Sequence, residues 1–235
     1  MAMPAPTLSG AKHYLAEEIM LSGLKILIIG SSHLATPGYL ITSLHDTLQA
    51  QGAQVHSIGV CGVTSSAWLQ ESHGDCGGAE RIGKGPLKIS VGSAAKTTPI
   101  TQLVAKEQPQ LVLIVMGDTL GGYAEPFFNK QWASQEVHKL TGALAQTGTR
   151  CAWVGPAWGE DGGVLGKTNA RVKLVSDFLA VNVEPCIWLN SLAMSKPGAW
   201  HTTDGQHFTP SGYKAWGDAI ARELARTIGP TTRQR

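Results

Sequence analysis

The sequence predicts an α/β fold, a three-layer α/β/α sandwich with a parallel sheet between helices, and three observations predict it. Short runs of Ile, Leu and Val recur along the chain. They are apolar at successive rather than alternate positions, the pattern of strands covered on both faces. Amphipathic stretches of helical period separate them, and strand–helix alternation is the signature of a doubly wound parallel sheet.

The first strand is residues 24–29, ending at Gly30. Residues 54–60 form a weaker second. Residues 111–116 form a third, stopped by Gly117, and residues 150–154 a fourth, stopped by Gly155-Pro156. Residues 186–189 form the fifth. A helix is expected over 39–51, where Leu40, Leu44 and Leu48 share one face and Gly52 follows. Thr98-Pro99 reads as a cap with proline at the first helical position, opening a helix to Glu107. Further helices are expected over 131–146 and 167–181, and from a second Thr-Pro pair, Thr209-Pro210, to about residue 227.

The 235 residues read as one domain with its core at about 24–226. A Gly-rich loop, 71–97, is inserted in it and carries Arg81, Lys84, Lys88 and Lys96, with a short hairpin expected near 87–91. The tails 1–10 and 229–235 are expected to fray.

Composition excludes several classes. The net charge is +2, from 19 basic and 17 acidic residues, so charge suggests no nucleic-acid partner. No apolar run approaches the roughly 18 residues of a membrane helix, so no membrane insertion is expected. Cys61, Cys76, Cys151 and Cys186 lack the CxxC spacing of a zinc knuckle. Cys151 and Cys186, in apolar runs, read as buried thiols. Reduced cysteines, and residues 1–20 without a signal layout, favour the cytoplasm; a removed signal would make the periplasm the alternative. The Gly-rich stretch after the first strand, Gly30 to Gly38, has no G-K-[ST], no GxGxxG follows that strand and no HExxH occurs, so neither metal nor cofactor is expected.

Ligands of an open parallel sheet bind beyond the carboxyl ends of its strands. The residues there are Gly30-Ser31-Ser32-His33, Gly59 to Thr64, Gly117-Asp118-Thr119-Leu120, Gly155 to Gly159 and Asp204-Gly205-Gln206-His207-Phe208. Ser32 is a candidate nucleophile. A serine hydroxyl needs a base at hydrogen-bond distance, and that base needs an orienting group. Asp204 and His207, three apart, let a carboxylate take the Nδ1 proton while Nε2 faces Ser32. The backbone amides at Ser32 and Gly62 suit an oxyanion, since glycine lets substrate approach the backbone. His33, Asp118, Trp158, Trp200 and His201 lie at the same edge as candidate substrate contacts. The Trp faces suit sugar rings.

This order of blocks resembles the SGNH (GDSL-type) hydrolases over about residues 24–226. The resemblance implies a flavodoxin-like fold with a five-stranded parallel sheet of order 2-1-3-4-5. It implies Ser32 as nucleophile, His207 as base, Asp204 as its orienter and Gly62 in the oxyanion hole. His-Phe-Thr-Pro-Ser-Gly-Tyr, residues 207–213, is similar to the family's last block. Two positions depart from the pattern. Ser31 replaces the usual Asp, and Thr119 stands where the family has an oxyanion-hole Asn. Thr119 is the substitute donor, while an ionised Asp118 beside it is expected to repel an oxyanion. The implied activity is acyl-ester hydrolysis, acetyl on a carbohydrate being the favoured substrate; O-acyl transfer uses the same residues. The alternative is a weakly active or inactive accessory protein, similar to the SGNH-type proteins of bacterial cellulose-synthesis clusters. Its partners would be a polysaccharide or polysaccharide-synthesis proteins.

Overall fold

In the computed structural model, which describes residues 21–228, strands and helices alternate along the chain. The expected tails, 1–10 and 229–235, and the rest of the stretch 1–20 lie outside the described residues. The strands are β1 Lys25–Gly30, β2 Gln54–Val60, β3 Gly78–Ile82, β4 Lys88–Ser90, β5 Leu111–Val115, β6 Arg150–Val154 and β7 Ile187–Leu189. The helices are α1 Leu40–Ala50, α2 Ile100–Glu107, α3 Lys130–Thr147, α4 Asn169–Ala180 and α5 Pro210–Ile228.

The sheet has 7 strands in the order β4-β3-β2-β1-β5-β6-β7, not the expected five. Five of them, β2-β1-β5-β6-β7, run parallel. The other two, β3 and β4, come from the 71–97 insertion and extend the β2 edge antiparallel, which makes the sheet mixed. The insertion is therefore folded. Its hairpin strands are Gly78–Ile82 and Lys88–Ser90, so the hairpin is longer and begins earlier than the short one expected near 87–91.

The continuous apolar runs are explained by which way successive side chains point. Ile26 and Ile28 of β1, with Leu113 and Val115 of β5, face Leu40, Leu44 and Leu48 of α1 and Trp216, Ile220 and Leu224 of α5. Leu27, Ile29, Val112 and Ile114 point the other way, onto Leu103 of α2, Val137, Leu140 and Leu144 of α3, and Val175 and Leu179 of α4. Both faces are dry, so neither can be polar. Each buried aliphatic side chain contributes about 1.5–3 kcal/mol by leaving water.

Local chemistry sets the helix ends. Asn129 caps α3 by accepting the Trp132 amide, and Thr168 caps α4 by accepting the Arg171 amide. At α5, Thr209 precedes Pro210 and its carbonyl accepts the Tyr213 amide. At α2 the expected cap is one residue early. Pro99 itself takes the cap position in an extended conformation and the helix begins at Ile100; proline has no N–H to leave unsatisfied there.

The cysteines are not free thiols. Cys61 pairs with Cys76 and Cys151 with Cys186. The topology brings the pairs together. Cys61 follows β2 and Cys76 precedes β3, its antiparallel neighbour. Cys151 lies in β6, one residue before Ala152, which sits opposite Ile187 of β7; Cys186 immediately precedes Ile187.

Candidate active site

The carboxyl ends of the parallel strands gather the residues singled out above. After β1 the chain enters a 3-10 turn, Ser32–Leu34, folded across the strand ends. The turn comes so close to β2 that a Cβ on Gly59 would lie 2.3 Å from the backbone of Leu34. Any other residue there would displace the turn that carries Ser32.

Ser32 Oγ lies 2.8 Å from His207 Nε2. His207 Nδ1 lies 2.7 Å from Asp204 Oδ2. Asp204 Oδ1 accepts the His207 amide at 2.7 Å and the Gln206 amide at 2.9 Å, so the carboxylate is anchored to the turn that holds the imidazole. Partial burial pushes the Asp204 carboxyl up. The hydrogen bonds from His207 and the two amides outweigh that and hold it below the usual carboxylate range. Asp204 is therefore ionised at neutral pH and accepts the Nδ1 proton, leaving Nε2 to accept from Ser32. The Tyr39 ring stacks near His207, with centroids 5.8 Å apart.

Gly62 is exposed and adopts φ +87, a left-handed conformation, and a Cβ there would lie 2.5 Å from Asp75 Oδ2. Thr119 Oγ1 is shielded from water and has no hydrogen-bond partner, as has Ser31 Oγ.

Asp118 and His33 are inside the protein and do not face solvent as substrate contacts would. Asp118 Oδ2 lies 2.6 Å from His33 Nε2, Tyr123 OH donates to Oδ1 at 2.6 Å, and Lys167 Nζ lies 2.9 Å from Oδ1. Burial pushes the Asp118 carboxyl up, but the Lys167 charge and these hydrogen bonds pull it well below its ordinary value. The expected repulsion of an oxyanion is thereby offset: the Asp118 charge is matched by a lysine whose side chain is 1% exposed.

The other edge residues are arranged less tightly. Trp158 is half-buried, its indole donating to the Leu192 carbonyl at 3.0 Å. Trp200 is half-buried, edge-on to Phe208 with centroids 5.8 Å apart. His201 is exposed, 3.4 Å from Glu160. Glu160 also accepts the Thr202 amide and hydroxyl, tying the loop after β6 to the loop that carries Asp204. A cleft of about 1330 Å³ opens elsewhere, between α2 and the β2–β3 edge; Ser32, Gly62, Thr119, Asp204 and His207 do not line it. Among the described residues no three His, Cys, Asp or Glu side chains converge as a metal site would.

Lys167, Tyr123, Tyr213 and Tyr39 were not among the expected site residues. Tyr213 closes the 207–213 stretch and could have been found from it. Lys167 sits in a Gly-rich loop whose pattern carries no signal of burial.

The fold and its strand-end site define the class: this is the fold of the GDSL-like hydrolases and their relatives. A DUF4886 family protein from Bacteroides uniformis ATCC 8492 is similar with a TM-score of 0.57 at 14% identity, over 91% of this chain and 88% of that one. A GDSL-like lipase from Bacteroides thetaiotaomicron VPI-5482 is similar with a TM-score of 0.54 at 12% identity, over 94% and 100%. A peptidoglycan O-acetylesterase is similar with a TM-score of 0.53 at 14% identity, over 93% and 95%. No protein-family model matches the sequence. Within the class, the chain belongs to the family of Protein BcsX of Komagataeibacter xylinus, with which it is 38% identical over 204 residues, 86% of this chain and 77% of that protein.

Proposed function

We propose that the chain is a serine-dependent ester hydrolase that removes an acyl group, acetyl before longer chains, from a carbohydrate. The observation that carries this reading is the continuous hydrogen-bonded chain Ser32–His207–Asp204. Ser32 Oγ attacks the ester carbonyl while His207 Nε2 takes its proton and Asp204 stabilises the imidazolium. The oxyanion of the tetrahedral intermediate is met by the Ser32 and Gly62 amides, with the unpartnered Thr119 hydroxyl as a third donor. His207 returns the proton to the departing sugar oxygen, leaving an acyl-enzyme. Water, activated by the same imidazole, releases the acid; a sugar hydroxyl in place of water would make the reaction an O-acyl transfer. The acetyl and carbohydrate preference is supported by neighbours in the same fold named as an acetyl xylan esterase and a peptidoglycan O-acetylesterase.

The test is hydrolysis of 4-nitrophenyl acetate and of acetylated xylan and cello-oligosaccharides. The wild type should release acetate, and Ser32→Ala should lower kcat by at least roughly 10⁴-fold. Equal rates would sink the reading.

A second reading is favoured by Thr119, which supplies a buried hydroxyl where the resembled family has an amide donor. In it the protein is an accessory factor of polysaccharide production, in a cellulose-making system, with little catalysis. A polymer-yield phenotype that survives Ser32→Ala but not deletion of 71–97 supports it. The two disulfides favour action in an oxidising compartment, the periplasm, over the cytoplasm that reduced cysteines would suggest.

A further inference from the structure

Two ionised side chains buried behind the site take no part in the acyl-transfer chemistry just described. Asp118 and Lys167 have side chains 4% and 1% exposed. Burying an ion pair is costly, and an apolar pair of the same volume commonly stabilises a fold as well or better. What the pair holds is therefore informative. Asp118 Oδ2 accepts a 2.6 Å hydrogen bond from His33 Nε2, and His33 Nδ1 lies 2.8 Å from Tyr213 OH. With Asp118 ionised, the imidazole has one tautomer: Nε2 donates to Asp118 and Nδ1 accepts from Tyr213, whose phenol burial keeps protonated.

His33 follows Ser32 directly in the same 3-10 turn, and its ring centroid is 5.1 Å from that of His207. Its partner Asp118 adjoins Thr119 in the turn after β5, 85 residues away in the chain. One hydrogen bond thus joins the turn of the candidate nucleophile to the segment that faces it. Burial, only partly opposed by Asp118, lowers His33 to about 4, so the ring is neutral at pH 7 and does not compete with His207 for positive charge.

We propose that His33 is a positioning residue: clamped between Asp118 and Tyr213, it fixes the turn that aims Ser32 Oγ at His207 Nε2. The proposal rests on the acyl-transfer reading of Ser32 and adds a buried relay that the local sequence pattern does not predict.

The test compares side chains that keep one half of the clamp. His33→Gln extends an amide to the reach of Nε2 and keeps a donor to Asp118. His33→Asn stops at the reach of Nδ1 and keeps only the Tyr213 contact. With 4-nitrophenyl acetate and the full chain, His33→Asn should lower kcat roughly 10- to 100-fold with KM little changed, because substrate does not touch the ring. His33→Gln should recover most of the rate. A second variant guards against simple unfolding: Asp118→Leu with Lys167→Met removes both charges, stays folded with a melting temperature well above that of the assay, and loses kcat to the same extent. Wild-type kcat in either His33→Asn or this double variant overturns the proposal, as does a rise in KM alone or equal loss in Gln and Asn. If those variants match an active wild type while Ser32→Ala is dead, only the positioning role falls. If the wild type neither hydrolyses the ester nor reacts with a fluorophosphonate, the acyl-transfer reading falls first.

Discussion

At the residue scale, Asp118 illustrates how a buried charge is read differently once its neighbours are known. In the sequence it stands next to Thr119, the expected oxyanion donor, with nothing to balance it. In the fold, Lys167 reaches it from a loop 49 residues further on. No local pattern encodes that meeting, whereas Asp204 and His207 are three apart and their pairing is legible in the sequence alone. Ser32 is legible for a related reason, since it follows a run whose strand character is plain. The same cluster has a consequence for stability. His33 has a folded-state value of about 4 against an ordinary 6.5, so the unfolded chain binds a proton there that the folded chain refuses. Folding stability should therefore fall as pH drops from about 6.5 towards 4, by an amount on the order of 3 kcal/mol from this ring. Asp118, held below its unfolded value, adds a further loss as pH falls through and below the ordinary carboxylate range. Urea melts at pH 7, 5.5 and 4.5 check this; His33→Gln should flatten the upper part of the trend, and an unchanged slope would contradict it.

At the element scale, the five parallel strands were readable because a strand buried on both faces must be apolar at every position. The β3–β4 hairpin was not. All three residues of β4 are exposed, and β3 is a short Gly-Ala-Glu-Arg-Ile run, so neither shows periodicity. The hairpin owes its place to pairing with β2 and to the Cys61–Cys76 link at its root. Disulfide pairing was equally hidden, because separations of 15 and 35 residues become neighbours only when strand order is known. Thiol titration of the unfolded, unreduced chain should find no free cysteine among these four. Replacing Cys151 and Cys186 together by Ser should lower stability by about 2–4 kcal/mol in chemical denaturation. Reactive thiols in the wild type would contradict the pairing.

At the scale of the whole molecule, one geometric fact organises the rest. The parallel strands all deliver their carboxyl ends to one edge, and each brings a loop there: Ser32 after β1, Gly62 after β2, Asp118 after β5, Trp158 after β6, and Asp204 with His207 between β7 and α5. A hydroxyl and an imidazole 175 residues apart meet at 2.8 Å because the sheet is wound in this way. The most direct test is intact-mass analysis after exposure to a fluorophosphonate, which reacts only with an activated serine. The account predicts one adduct per wild-type chain, located on Ser32, and none on Ser32→Ala or His207→Ala. An adduct that persists in Ser32→Ala, or a folded wild type that takes none, would contradict it.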